Sequence, residues 1–550
     1  MAASLANRYF GAPMKSAADL TRRFFRITEV GSSIRTEVLS GLSAFLTMAY
    51  IIPVNAAIIG DTGGPCIEDL PGVAWDDPTM LACISTVKRD LIVATTVASM
   101  MGSLIMGLWA NLPLHLMPGM GMNAYFSYTV IGFMGTGPVA YRTALTAVFL
   151  EGIIFLILSL TGVRSQLKHI MPASIQLGMS AGIGIFLAFI GLQGSVGLGA
   201  VVGNDATLVT LGGCPPEFRE PMGAGGAYYC TGGVLSDPTL WLGVFGLVLM
   251  AFLMMKKVPG GLFMGIAFIS CISWIRGTAV TYFPYSSEGQ SRFDFFKQVF
   301  SFHLIEKTAG QLRWDRLGSS EVWIALMTLL YTDVLDSTGT FLALGRAANL
   351  TTPSGTIRSE RAAFCSDALA TSLGSLLGTS PTTTASESMA AVVTGGRTGL
   401  SSVTSGVMMF LCLFFAPIFA SVPPYATGPA LIVVGSLMAS NLTTADLTDP
   451  IVAIPTFVTM ATIPLTYSVA YGLVAGVVLS LILNTLDAVW EIARGRLTFK
   501  SLLNRRRTEK GARRDRLAEE FGCSRCLIHE DIDADEGSWT SSQSSEERLV

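Results

Sequence analysis

Charged side chains are scarce in this chain. Asp, Glu, Lys and Arg make up 14% of its 550 residues, against roughly 25% in soluble domains, and the mean hydropathy is +0.54. That shortage excludes an ordinary soluble globule and points to a polytopic membrane protein. The net charge is only -3 and no long basic domain is present, so nucleic acid is not an expected partner. Histidine is rarer still, with 4 in the whole chain. No zinc-ligand spacing and no Ser-His-Asp set stands out, so neither a metal, a cofactor nor an enzyme is expected. The first 29 residues lack the apolar core of a signal peptide, which leaves membrane targeting to the first apolar span.

Cysteine is limited to nine residues. Cys66 and Cys83 share one predicted loop, Cys214 and Cys230 another, and each pair is a disulfide candidate. Cys271, Cys365 and Cys412 fall in apolar runs, where cysteine behaves as a small hydrophobe. Cys523 and Cys526 form a lone CxxC that lacks a second pair for zinc.

What the chain has in abundance is apolar runs long enough to cross a bilayer, which takes about 20 residues. Fourteen are expected, at about 38–60, 91–110, 112–133, 139–160, 170–192, 240–255, 261–283, 322–343, 362–377, 378–400, 402–422, 428–439, 451–466 and 470–490. Positive charges fall on alternate connections: Arg22, Arg23, Arg26 and Arg35 before the first span, Arg164 and Lys168, Lys256 and Lys257, Arg346, Arg358 and Arg361, and the run from Arg494 to Arg516. The positive-inside rule then places both termini in the cytoplasm, with Arg142 as the exception. On this basis residues 1–36 are a cytoplasmic segment and 37–283 a first membrane repeat with extracellular loops 61–88 and 193–237. Residues 284–320 are an extracellular loop, 321–490 a second repeat, and 491–550 a cytoplasmic tail that is disordered at its acidic end. The sequons at Asn349 and Asn441 would lie inside, out of reach of glycosylation. The basic tail could touch anionic membrane lipid.

The third and tenth spans break. Residues Gly378–Leu400 hold Pro381, many hydroxyls, paired glycines and Glu387 among apolar runs. Backbone that leaves its helix at membrane depth must be buried in protein or line a cavity. Ser380–Thr384 therefore read as extended, followed by a half-helix starting near Glu387 whose free N–H groups face a ligand. The third span breaks in the same way at Pro-Gly-Met-Gly-Met-Asn (118–123). Interrupted spans at matching places in two halves point to a transporter site between inverted repeats. Each half has seven spans, an odd number, so the two face opposite ways.

Asp333 and Asp336 stand in the eighth span, about 60° apart on the helix, and two carboxylates among apolar residues imply a polar cavity. Asn123 offers a donor and an acceptor, and Tyr125 and Phe126 could stack on a flat ligand. Asn55, after Pro53 in the first span, either ties spans together or borders the site. Glu151 in the fourth span reads as bonded to a neighbouring span. Thr394–Gly399 looks like a phosphate loop but lacks its Lys and its strand–helix setting.

The pieces FLTMAYIIPVNAAI, PGMGMNAYFSYTV, PASIQLGMSAGIGIFLAFIGLQ, DVLDSTGT and GTSP…ES…GGRTGL resemble the AzgA-like purine permeases, a branch related to the nucleobase–ascorbate transporters. The resemblance covers most of the membrane region. It implies an all-α fold of fourteen spans in two inverted seven-span repeats, divided into core and gate domains, with short strands at spans 3 and 10. It further implies a plasma-membrane carrier that imports adenine, guanine or hypoxanthine by proton symport with alternating access, and homodimers. By motif position Asn123, Asp336 and Glu387 are the expected binding residues, with Asp333, Thr384, Ala385, Ser386 and Phe126 beside them. Asp336, Asp333 and Glu387 are the candidates for carrying the proton. Ala385 and Ser388-Met389-Ala390-Ala391 depart from the family pattern, where a bulkier residue and glycines are usual. The alternatives are a sulfate-type anion transporter of the same fold, which the carboxylates would repel, and a membrane receptor that binds without translocating.

Overall fold

The computed structural model describes residues 17–74, 77–162, 172–194, 197–202, 209–215, 218–221, 228–301, 303–315, 317–350, 357–444 and 447–494. Arg164, Lys168, most of the basic tail, the Cys523–Cys526 pair and the acidic end lie outside the described residues.

The first span is two helices meeting at Ala49–Tyr50, α1 (Ile34–Met48) and α2 (Ile51–Gly60). Then come α3 (Pro78–Ile105), a three-residue strand β1 (Leu116–Pro118), the half-helix α4 (Met120–Ala124) with a π-helical continuation over Tyr125–Ile131, α5 (Tyr141–Thr161) and α6 (Ala173–Leu192). Two short ladders follow, β2 (Val201–Val202) on β3 (Thr210–Leu211) and β4 (Arg219–Pro221) on β5 (Tyr228–Cys230). The first half ends with α7 (Pro238–Met255) and α8 (Gly261–Ser273). After a helix in the connection, α9 (Ser287–Phe296), the second half runs α10 (Ser320–Ala347), α11 (Glu360–Leu377), β6 (Thr382–Thr384), α12 (Met389–Val393), α13 (Gly399–Cys412), α14 (Pro424–Ser440), α15 (Pro450–Thr466) and α16 (Val469–Ala493).

Several starts are set by an Asp-Pro pair. Asp77, Asp237 and Asp449 each accept a hydrogen bond from a backbone N–H two residues on, at 2.7, 2.9 and 2.9 Å, while the following Pro fills a position whose N–H would be unpaired anyway. The first of these caps starts α3 well before the residue expected, so residues 78–88 of the predicted 61–88 loop are helix. The charged Lys88, Arg89 and Asp90 had masked that start. The ladders β2–β3 and β4–β5 and the helix α9 were also not anticipated in their loops.

Among the described residues, seven helical stretches are long and apolar enough to cross a membrane unaided. The other spans fail such a test for physical reasons. The third and tenth change to strand midway, α10 carries carboxylates, and α8 has only 13 residues, about 20 Å of helix. The inverted repeat appears in the packing. Helix α5, the fourth span, packs on α10 and α11, the eighth and ninth. Its counterpart α13, the eleventh span, packs on α1 and α3, the first and second. The fifth span pairs with the twelfth, and the third with the tenth. Residues of the α6–α14 seam mirror each other: a Cβ on Gly184 would strike the carbonyl of Gly435 and the reverse, and Gly191 and Gly428 repeat this at 2.6 and 2.7 Å. Small residues of this kind let membrane helices approach backbone to backbone.

Disulfides join Cys66 to Cys83 and Cys214 to Cys230, with Cα atoms 6.0 and 5.8 Å apart. Arg142, the charge that broke the positive-inside pattern, forms ion pairs with Glu68 at 3.7 Å and Asp69 at 2.7 Å. The connection between the halves is strapped down. Asp90, fully buried, accepts from Glu306 N at 3.1 Å and Lys307 N at 2.6 Å and meets His303 Nε2 at 2.7 Å. Gly310 N then donates to Leu376 O at 2.7 Å.

Candidate functional site

The two broken spans cross at one antiparallel ladder, in the register Leu116–Thr384, Met117–Thr383 and Pro118–Thr382. The strands give each other the hydrogen bonds that a broken helix loses, which is what membrane depth demands. Pairing continues beyond them: Gly119 N donates to Pro381 O at 3.1 Å, Ala385 N to His115 O at 2.9 Å, and His115 N to Ser388 Oγ at 3.0 Å. Pro381 thus lies on the extended side of the break, where its missing N–H costs nothing and its carbonyl is used. Asn55 fastens this crossing to the first two spans, with Nδ2 donating to Thr95 Oγ1 (2.6 Å) and Thr379 Oγ1 (2.9 Å), while Oδ1 accepts from Ser380 Oγ (3.3 Å).

A cavity of about 400 Å³ opens beside the crossing. Its polar walls come from Asp336 and Thr340 on α10, Ser386 after β6, and Gln176 and Ser180 on α6, with Met122 and Met438 among the apolar ones. Two packing groups supply it. Spans 3, 8 and 10 give one side, and spans 5 and 12 the other. Asp336 is exposed to this space, and its carboxylate takes no hydrogen bond from another described residue. Its acceptor capacity is therefore free for a ligand.

Of the other expected residues, Ala385 and Glu387 are half-buried beside Ser386. The Glu387 carboxylate is already held, by Tyr50 Oη at 2.7 Å and Ser386 Oγ at 3.2 Å. Asp336 and Ser386, the residue before Glu387, line the same cavity. Asn123, Asp333, Thr384 and Phe126 lie fully buried behind the cavity wall. The Phe126 ring packs edge-on against Tyr141, with centroids 6.5 Å apart, as a core aromatic. Asn123 Oδ1 accepts from Ser127 Oγ at 3.3 Å, and its Nδ2 has no partner among the described residues.

Asp333 belongs to a second cluster. Its oxygens accept from Ser337 Oγ (3.2 Å) and Thr371 Oγ1 (3.5 Å). The single Ser337 O–H is shared with Asp367 on α11, a carboxyl that accepts from Thr383 Oγ1 (3.3 Å) and Thr384 Oγ1 (3.5 Å) as well. Thr384 therefore serves this buried network and turns from the cavity. Asp367 was missed, although a lone carboxylate in an apolar ninth span carries the signal that singled out Asp333 and Asp336. Tyr50 and Gln176 were quoted within motifs without a role. The neighbour bond expected for Glu151 is not made among the described residues, where both its oxygens lack a hydrogen-bond partner. In the Thr394–Gly399 turn, N–H groups that a phosphate would need are taken by the Glu37 carboxylate, from Arg397 N at 3.0 Å and Thr398 N at 3.2 Å. No cluster of metal-ligating side chains occurs among the described residues.

Residues 73–213 and 233–475 match the model of the Permease family. A putative xanthine/uracil permease of Schizosaccharomyces pombe is 43% identical over 474 residues, 85% of this chain and 75% of that protein. A protein named as an efflux pump of Aspergillus versicolor is 42% identical over 470 residues, 84% and 80%. A guanine/hypoxanthine permease of Bacillus subtilis is 32% identical over 472 residues, 85% and 95%. Among solved structures, the transmembrane domain of a cyanobacterial bicarbonate transporter superposes with a TM-score of 0.52 at 14% identity, covering 80% of this chain and 97% of that one. At that identity the match speaks for the fold, the inverted-repeat architecture.

Proposed function

The chain belongs to the Permease family and is a multi-pass membrane transporter rather than an enzyme, and from that premise we propose that it carries purine nucleobases across the plasma membrane. The observation that carries the proposal is the free Asp336 carboxylate in a cavity walled by both packing groups. A volume of about 400 Å³ falls within the usual range of small-molecule sites, roughly 300–1,000 Å³. A purine offers ring N–H donors and, in adenine and guanine, an exocyclic amine. Bonds from such donors to a carboxylate are stronger than neutral ones. An anion such as sulfate would meet repulsion there, so the anion carrier of the same fold is disfavoured. The guanine/hypoxanthine permease of Bacillus subtilis supports the same substrate class.

In this proposal spans 1–4 and 8–11 act as the core and the remaining spans as the gate. Alternating access follows when the wall with Gln176 and Ser180 moves against the wall with Asp336 and Ser386. Asp336, Asp333 and Glu387 are the candidates for coupling to protons, both termini face the cytoplasm, and homodimers are expected. The test is uptake of labelled adenine, guanine and hypoxanthine by vesicles containing the purified protein, with unlabelled bases and sulfate as competitors. Uptake should be competed by purines and should fall when the outer pH is raised or a protonophore is added. Sulfate transport without purine transport overturns the substrate, Na⁺-dependent and pH-indifferent uptake overturns the coupling, and binding without translocation makes the protein a receptor. The name of the Aspergillus versicolor relative favours one second reading, export of the same class of ligand. Net movement against an imposed outward gradient distinguishes the two.

A further inference from the structure

Among the described residues, Glu151 is the fully buried carboxyl that the site described above leaves unused and that has no hydrogen-bond partner. It sits midway along α5 and is fully buried, with both oxygens lacking a hydrogen-bond partner. The adjacent Gly152 brings α5 against Ser372 and Ala368 of α11, so Glu151 is enclosed by protein and does not line the cavity.

The elements packed on α5 are α10, α11 and the π-helical segment, together with residues 311–314 of the connection, which meet its first half at Arg142, Thr146 and Phe149. From α10 comes Asp333, fully buried like Glu151 on the helix packed against it. From α11 come Asp367, which shares the Ser337 hydroxyl with Asp333, and the buried thiol of Cys365. On the π-helical segment Tyr128 is engaged by Asp61 at 3.0 Å and Tyr125 by Thr328. The ionisable neighbours that bear on Glu151 are thus carboxyls, and no described Lys or Arg pairs with it. A carboxylate without donors, facing other carboxylates, is the costliest form of this side chain, and the neutral acid the cheaper one. Asp336 lines the cavity, and Asp333, Asp367 and Glu151 lie fully buried behind it on three helices packed together.

We propose that Glu151 is a proton-binding site of the transport cycle, a store set behind the base-binding cavity. The inference rests on the proton-driven reading above. In the step it describes, the O–H bond of Glu151 breaks as one forms on an Asp333 carboxylate, and the net charge of the cluster is unchanged. Reprotonation of Glu151 reverses it when a proton taken up at Asp336 has passed inward to Asp333.

The experiment compares wild type with Glu151→Gln, which keeps size and neutrality but cannot release a proton. Both are purified, assembled into vesicles and given labelled adenine under a pH gradient of about one unit. A gradient of that size supports roughly tenfold accumulation per coupled proton. Wild type should reach it, and Glu151→Gln should bind adenine about as tightly yet only equilibrate it. Equal accumulation and the same pH profile in Glu151→Gln overturn the inference while leaving proton-driven transport intact. Wild type that ignores the gradient overturns the proton-driven reading itself, and this inference with it. Glu151→Asp guards against failed assembly: its carboxyl, one methylene shorter, should shift the pH profile of uptake without changing adenine affinity. A superimposable profile counts against the store.

Discussion

Two carboxylates three residues apart on one helix have opposite fates. Asp333 is buried under hydroxyls from α10 and α11, whereas Asp336 faces the cavity with none. Asp336→Asn should therefore act on base affinity directly. It exchanges an acceptor for an amide, and a lost charged bond is worth about 1.5–3 kcal/mol, a roughly tenfold to hundredfold weaker Kd. Tyr50→Phe removes one of the two donors holding Glu387 and no contact to the base itself, so it should weaken binding less. Adenine binding by purified, assembled variants checks both, and an unchanged Kd for Asp336→Asn would falsify the site. At this scale the sequence was informative where a polar residue contradicts its surroundings. Asp336 stood out for that reason, and it lines the cavity. It could not say which of two neighbouring carboxylates turns inward, because hydroxyls on other helices decide that, nor that Thr384 and Phe126 turn away.

Helices here meet through what they lack. Gly184 and Gly191 on α6 face Gly435 and Gly428 on α14 with backbone against backbone. Gly184→Ala puts a methyl group where no space exists, and overpacking of this kind costs about 1–3 kcal/mol. The detergent-solubilised variant should melt at a lower temperature than wild type, and an unchanged melt would show that the seam yields. The broken spans were legible as elements because proline, glycine and hydroxyls interrupt apolar runs at matching places. The strap over residues 303–310 was not, since most of its anchors are backbone N–H groups that any sequence supplies. The early start of α3 was hidden because Asp77 and Pro78 cap it ahead of a charged stretch.

For the whole molecule, the inverted repeat was foreshadowed by the placement of the two breaks and by the family resemblance, and the packing of α5 and α13 on corresponding partners gives it substance. Arg142, the charge that contradicted the orientation, stands with Glu68 and Asp69 as partners, so it adds little net charge where it lies. An impermeant thiol reagent applied to intact cells should accordingly leave Cys523 and Cys526 unlabelled in a Cys271→Ser background until the membrane is opened. Labelling before that would reverse the orientation. The ladder of β1 on β6 also has a consequence for how the molecule is made. Pro118 must wait for Thr382, 264 residues later in the chain. At a synthesis rate of roughly 5–20 residues per second, that interval lasts about 13–53 s. Throughout it the first repeat holds a strand edge with no partner at membrane depth, a place that leaves no backbone group unpaired at low cost. The half-made transporter is thus the form most exposed to quality control, and a sequence change that slows synthesis between the repeats lengthens that exposure without altering the finished protein.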